Sequence, residues 1–217
     1  MDVTSMPRAY GATLPDWVFD ELAAVPGALP SVEERMALVH RLAARNPLEG
    51  SGGPFAALVV NTADGEVVSA GVNLVLSSGL SAAHAEVVAL SLAQLRVGTW
   101  DLGAQDAADR ELVVNWRPCA QCYGATMWSG VRRLVIAGDG PELEELTGFD
   151  EGPMREDWAE QLRRRGIEVV SDVLREQAVE VFADYRRVVT ERGLTVYNAR
   201  GATAPASGTP SKGAVVA

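Results

Sequence analysis

Two short motifs carry side chains that bind metal ions, at spacings that allow them to share one ion. His84 and Glu86 are separated by one residue, and Cys119 and Cys122 by two. Residues three apart on a helix lie on one face, so two thiolates at this spacing can chelate a single ion. A helix N-terminus also favours the thiolate form. With His84 as the third ligand, the pattern predicts a Zn²⁺ site.

The number of ligands indicates a catalytic zinc site. A structural zinc site uses four protein ligands. The chain has two histidines and two cysteines, so His40 alone remains as a fourth candidate, and an ordinary packed or surface role is expected for it. Three ligands leave one position for water, which zinc converts into a nucleophile near neutral pH. Glu86 lies too close in sequence to His84 to share its helical face, so we expect it to carry protons without binding metal.

Each motif taken alone has a plainer interpretation. The cysteines could be a redox pair or two buried thiols, His84 a core histidine, and Glu86 a solvated residue on a helix. The order of the motifs favours the metal site, because each is expected at the start of a helix, with a strand between them. Pro118, directly before Cys119, is typical of the first turn of a helix.

The remaining pattern predicts an α/β domain. Ser31 with Glu34 forms a capping-box pattern at the start of an amphipathic helix. Asp64-Gly65 is a hairpin signal between two apolar strands. Strands alternate with helices after this hairpin, which predicts a three-layer α/β/α arrangement with a mixed sheet. We divide the chain into an N-terminal arm (1–30), a zinc domain (31–197) that contains both motifs, and a disordered tail (198–217) rich in small residues and proline.

Composition limits the classes of partner and the cellular location that are expected for this protein. The net charge of −10 disfavours binding to nucleic acid, including a tRNA substrate. No apolar stretch has the length of a membrane-spanning helix, and residues 1–10 lack a secretory signal pattern, so a cytoplasmic protein is expected. Two cysteines in such a chain argue against a disulfide framework.

These motifs resemble the cytidine and deoxycytidylate deaminase superfamily, whose zinc signature pairs His-x-Glu with a later Pro-Cys-x-x-Cys. The likeness covers about residues 31–190 and is strongest to bacterial guanine deaminases and related nucleobase deaminases. The segments that carry it are Gly52-Gly53-Pro54-Phe55, Asn73, His84-Ala85-Glu86, the run from Pro118 to Ala125, Trp128 and Gly148-Phe149-Asp150-Glu151.

The resemblance implies a five-stranded sheet, zinc held by His84, Cys119 and Cys122, and Glu86 as the proton shuttle. It also implies that Asn73 hydrogen-bonds the substrate base, that Phe55 and Trp128 wall the ring pocket, and that Asp150 or Glu151 accepts from an exocyclic amine. Plainer roles exist for these residues: Phe55 in the core, Asn73 in a turn, and the two acids at the surface. The implied reaction is hydrolytic deamination of a free nucleobase, with guanine or a related aminopurine as the first candidate.

The chain departs from the guanine-type pattern at three places beside the pocket. Arg117 stands where an acidic residue is usual, Gly79-Leu80-Ser81 replaces Asp-Pro-Thr before His84, and Gln121 replaces a frequent Met. These departures keep open cytosine or an aminated triazine as the substrate, and leave a tRNA adenosine deaminase and a non-enzymatic metal or redox module as further alternatives. Such relatives often form homodimers that exchange a C-terminal segment. A homodimer is therefore expected, with a role for Tyr185 or Tyr197 left open.

Overall fold

A five-stranded mixed sheet forms the centre of the molecule. The computed structural model describes residues 6–104 and 108–198. The strand order is β2-β1-β3-β4-β5. β1 is antiparallel to β2 and β3, while β3, β4 and β5 run parallel. The strands are β1 Ala56–Asn61, β2 Val67–Val72, β3 Arg110–Val114, β4 Arg133–Ile136 and β5 Glu168–Val170. This confirms the predicted α/β class and mixed sheet.

Helices cover both faces of the sheet, as the three-layer prediction requires. The alternation of β1 shows the two faces: Leu58 and Val60 pack on one side, and Ala57 and Val59 on the other. α2 and α8 lie on the first side, and α4 and α5 on the second. The helices are α1 Asp16–Ala23, α2 Val32–Arg45, α3 Val75–Ser78, α4 Ala85–Val97, α5 Ala120–Ser129, α6 Glu142–Thr147, α7 Trp158–Arg163 and α8 Arg175–Arg192.

Local sequence signals set several of the helix ends. The Ser31 hydroxyl accepts from the Glu34 backbone N–H at 3.2 Å, and the Glu34 carboxylate accepts from the Ser31 N–H at 3.0 Å, so the predicted capping box is present. Gly130 ends α5 in the left-handed region, which a residue with a Cβ rarely adopts. Short helices α3 and α6 fall in stretches where the sequence predicted no helix.

The N-terminal segment contributes to the core of the domain. Trp17 and Val18 of α1 are buried against the first face, and the Leu29 backbone N–H donates to the Gly65 carbonyl at 2.8 Å. The predicted boundary at residue 30 therefore falls between two packed segments. The predicted tail lies, except for residue 198, outside the described residues.

No helix among the described residues is both long and apolar enough to cross a bilayer.

Candidate active site

Two helix N-termini bring the predicted metal ligands together. His84 is the N-cap of α4 and Cys119 the N-cap of α5, and both have extended backbone conformation. The sequence predicted a helix start at each motif, with Pro118 in the first turn of the second helix. Pro118 instead precedes the N-cap. This shift does not separate the cysteines, because an N-cap side chain is directed toward the third helical residue, which here is Cys122.

The geometry of the three ligands fits a tetrahedral zinc ion. His84 Nδ1 lies 3.4 Å from Cys119 Sγ and 3.5 Å from Cys122 Sγ, and the three ligand atoms lie within 4.8 Å of one another. Zinc bonds of about 2.3 Å to sulfur and about 2.0 Å to nitrogen put tetrahedral ligand atoms about 3.6 Å apart. In the described part of the chain this is the one such cluster, and it does not include Glu86.

Electrostatics around the ligands favour one thiolate before any metal binds. The pKa of Cys119 is lowered to about 4, chiefly because the Cys122 side chain hydrogen-bonds its sulfur; burial opposes this, and His84 adds to it. Burial raises the pKa of Cys122 well above its ordinary value. Burial alone would lower the pKa of His84, but contacts with Cys119 and the charge of Glu86 leave it raised. The cluster thus holds negative charge that a cation would neutralise.

Glu86 lies beside the ligands without an ionic partner. It is the second residue of α4, its side chain is buried, and it forms no ion pair with a described residue. Burial is the largest cause of its raised pKa, and the negative charge of Cys119 adds to it. A buried carboxylate with a raised pKa next to a metal site can both accept and return a proton.

A cavity of about 380 Å³ opens above the ligands, within the usual range for small-molecule sites. Most of the predicted residues line it: Phe55, Asn73, His84, Glu86, Cys119, Asp150 and Glu151. Cys122 is completely buried behind Cys119. Glu151 is buried and its pKa is raised well above the ordinary value by burial. Asp150 is exposed, and its carboxylate accepts from the Gly152 N–H at 2.8 Å.

Hydrogen bonds fix the Asn73 amide at the cavity wall. Its Oδ1 accepts from the Tyr197 hydroxyl at 2.5 Å and from the Val75 N–H at 3.1 Å, and its backbone carbonyl accepts from Asn46. Within residues 6–104 and 108–198 no acceptor bonds the amide nitrogen. Asn73 therefore presents a donor to a ligand.

Trp128, which the resemblance implied as a wall of the ring pocket, lies away from the cavity of its own chain. Its side chain is 83% exposed, and it does not line the cavity within this chain. Trp128 is nine residues beyond Cys119, which at 1.5 Å per residue puts it about 13 Å away along α5. Phe149 also lines the cavity and packs edge-to-face on Phe55, with ring centroids 5.3 Å apart.

Several lining residues lie far apart in sequence and were not assigned to the pocket. Tyr197 packs on Phe149 with ring centroids 4.9 Å apart and reaches the cavity of its own chain, whereas Tyr185 packs behind Phe149. Trp116 and Arg117 also line the cavity. Arg117 could be singled out from the sequence as a departure beside Cys119; nothing local marked Phe149 or Tyr197 as wall residues.

His40 has the ordinary role expected of it. It is buried, and its Nδ1 lies 3.4 Å from Gln177 Oε1 between α2 and α8.

Comparison with known proteins is consistent with this geometry. The model of the "Cytidine and deoxycytidylate deaminase zinc-binding region" matches residues 30–138. Guanine deaminase of Bacillus subtilis is 35% identical over 102 residues, which is 47% of this chain and 60% of that protein. The match thus spans less than two thirds of that relative.

Solved structures match over more of the chain. A guanine deaminase from Nitrosomonas europaea is 40% identical with a TM-score of 0.78, covering 84% of this chain and 98% of that one. A structure of the protein NE0047 in complex with 2,6-diaminopurine is 40% identical with a TM-score of 0.79, covering 90% of this chain and 100% of that one.

Proposed function

The chain belongs to the cytidine and deoxycytidylate deaminase family, and from this premise we propose that it removes an amino group from a free nucleobase by zinc-dependent hydrolysis, with guanine as the leading candidate. The observation that carries the proposal is the arrangement of one cavity. His84, Cys119 and the buried Glu86 line it, Cys122 lies buried within ligand distance of the first two, and Glu86 has no ion pair with a described residue. The 40% identity to a guanine deaminase over most of the chain supports the choice of ring.

His84, Cys119 and Cys122 would hold the ion. When bound there, Zn²⁺ would supply a Lewis acid that makes water nucleophilic near neutral pH. Glu86 takes a proton from the attacking water and delivers it to the adjacent ring nitrogen. A second proton follows to the exocyclic nitrogen, the C–N bond breaks, and ammonia leaves as the ring carbon gains a carbonyl oxygen.

The other cavity residues would orient the ring. Phe55 and Phe149 offer apolar faces for a flat heterocycle, and the Asn73 amide nitrogen donates to an acceptor on its edge. Buried Glu151 accepts from a ring or exocyclic N–H. Asp150 is exposed and would act at the cavity mouth. A purine with both N–H groups and a carbonyl matches this mixture of acceptors and donors.

One observation favours a second candidate, a cytosine or an aminated triazine. Two of the departures from the guanine-type pattern, Ser81 and Gln121, line the same cavity. The net charge of −10 still opposes a tRNA substrate.

We also propose that the chain forms a homodimer, acts in the cytoplasm and serves purine salvage. Exposed apolar side chains at the ends of α4 and α5 support the homodimer: Leu95, Trp100 and Trp128 are each more than three quarters exposed. Light scattering would show a mass of about twice 23.0 kDa; a monomeric mass would contradict the proposal.

Ammonia release tests the function directly. We would assay purified zinc-loaded protein against guanine, isoguanine, adenine, cytosine, cytidine and ammeline, with Glu86→Ala as the blank. If the protein releases ammonia from one ring and the Glu86→Ala variant does not, the result supports deamination and identifies the ring. Metal analysis of Cys122→Ser is the companion measurement, and we expect it to lose stoichiometric zinc. If protein with bound zinc releases no ammonia from any of these rings, a non-enzymatic metal module would be favoured.

A further inference from the structure

Arg117 is a cation at the cavity whose side chain has no hydrogen-bond or ion-pair partner among the described residues. It follows β3 directly, and its backbone N–H donates to the Gly138 carbonyl at 2.8 Å, which fixes the main chain at this point. Its side chain lines the cavity. Its Nε is buried and lacks a hydrogen-bond partner, and in the described ranges the guanidinium forms no ion pair. Burying a charged donor without a partner costs free energy, so a ligand that accepts from it would remove that cost.

The charges around Arg117 indicate what kind of ligand this is. Three carboxylates line the same cavity, from Glu86, Asp150 and Glu151. The charge of Arg117 acts on Glu151, where it opposes the effect of burial, yet no ion pair forms between the two. With three acids and one cation, the cavity disfavours an anionic ligand. A neutral ring that presents hydrogen-bond acceptors to the guanidinium is favoured.

The shape of the guanidinium selects among neutral rings. Its N–H groups lie in one plane as a rigid fork, which matches two neighbouring acceptors. The O6 and N7 atoms of guanine form such a pair, and an amino group at C6 would present a donor in place of the O6 acceptor. The Asn73 amide nitrogen is a second donor at the same cavity.

We propose that Arg117 is a specificity-determining residue, which donates to the carbonyl-bearing edge of a purine and so selects an oxopurine over a purine with an amino group at that position. The inference rests on the proposed function and makes its substrate class narrower. Arg117 stands before the Pro-Cys pair, where an acidic residue is usual, and the proposal gives this difference a physical role.

The test compares guanine with 2,6-diaminopurine, which carries an amino group in place of the C6 oxygen and lacks the proton on N1. Dissociation constants are measured by calorimetry on zinc-loaded protein carrying Glu86→Ala, so that neither ring is consumed. Adding Arg117→Met removes the donors and keeps an unbranched stem. We expect the dissociation constant for guanine to rise about 5- to 150-fold, the range for loss of a bidentate contact. The dissociation constant for 2,6-diaminopurine should rise clearly less, by no more than about fivefold, because this ring keeps the N7 acceptor but has no O6 acceptor.

Two further variants act as controls. Arg117→Lys keeps the charge but not the fork, and we expect a guanine affinity between those of the parent and Arg117→Met. Arg187→Met removes an exposed cation of α8 and should leave both affinities unchanged. Melting temperature and zinc content verify that each variant is folded.

Outcomes for the two proposals can be told apart. If Arg117→Met raises the dissociation constants of both rings equally, or of neither, the specificity role is overturned. Guanine turnover by the wild-type protein would still support the proposed function in that case. If the wild-type protein releases no ammonia from either ring and binds neither, both proposals fail.

Discussion

Buried carboxylates occur at two ends of the sheet, in opposite electrostatic settings. Glu111, at the start of β3, is fully buried and bonded to two arginines: its Oε1 accepts from Arg35 at 2.7 Å and its Oε2 from Arg133 at 3.0 Å. Arg35 is itself buried and donates to the Leu29 carbonyl at 2.6 Å. Beyond the other end of the same strand, Glu86 and Glu151 are buried in the cavity and form no ion pair with any described residue.

This difference in pairing distinguishes Glu111, which stabilises the fold, from Glu86 and Glu151, which are available for proton transfer or ligand binding. A buried charge that serves the fold is paired and hydrogen-bonded, because an unpaired one costs several kcal/mol. Groups left unpaired in a cavity, with raised pKa values, are candidates for proton transfer and ligand binding. The Glu111 cluster also ties the N-terminal segment to the sheet through Arg35, since Arg35 bonds both Leu29 and Glu111.

The largest expected effect is at Glu86. Glu86→Ala should lower deamination at least about 10²- to 10⁴-fold, because the proton shuttle is lost, while zinc content and melting temperature stay near those of the wild type. Ammonia release and metal analysis measure these two properties. Loss of zinc from the variant would show that Glu86 is a metal ligand and that the assigned role is incorrect.

Glu111→Gln should show the reverse pattern: the protein loses stability and keeps its activity. It leaves Arg35 buried without its carboxylate, so we expect the free energy of unfolding to fall by about 3 to 5 kcal/mol. The turnover of the folded fraction should be unchanged, since Glu111 does not line the cavity. Urea unfolding measures the loss.

Glu168→Gln is the matched control for that variant. Glu168 also pairs with Arg133, at 3.3 Å, but it is 65% exposed. Its removal should cost no more than about 1 kcal/mol. Equal losses for the two variants would contradict the distinction between the buried and the exposed partner.

The smallest expected effect is at His40, a buried titratable group with a neutral partner. Burial lowers the pKa of His40, and the Gln177 hydrogen bond opposes this only in part. The unfolded chain therefore binds a proton that the folded chain does not, starting below about pH 6.5. Stability should fall as the pH drops from there toward the lowered folded pKa. His40→Gln should make this part of the pH dependence smaller in urea unfolding curves from pH 7 to pH 5, and an unchanged slope would contradict the prediction.

Residues close in sequence were predicted better than those brought together from afar. Cys119 and Cys122 share one helix N-terminus, so their approach follows from a spacing of three residues. His84 joins them from the N-terminus of α4 across 35 residues, and the packing of α4 against α5 brings the three ligands together. Trp128 was placed at the pocket by resemblance, but it lies on an exposed face of α5, whereas the next residue, Ser129, is buried. Tyr197 reaches Asn73 across 124 residues, which no local pattern encodes.

The α/β class, the capping box of α2 and the identity of the three ligand residues could be inferred from the amino-acid sequence, because they follow from periodicity and from short motifs. Only the tertiary structure decided which side chains close the cavity and which acids stay unpaired. Phe149, Tyr197 and Arg117 come from three segments whose approach depends on how loops pack over the sheet. Pairing of a buried charge depends in the same way on distant partners, since Glu111 meets Arg35 across 76 residues.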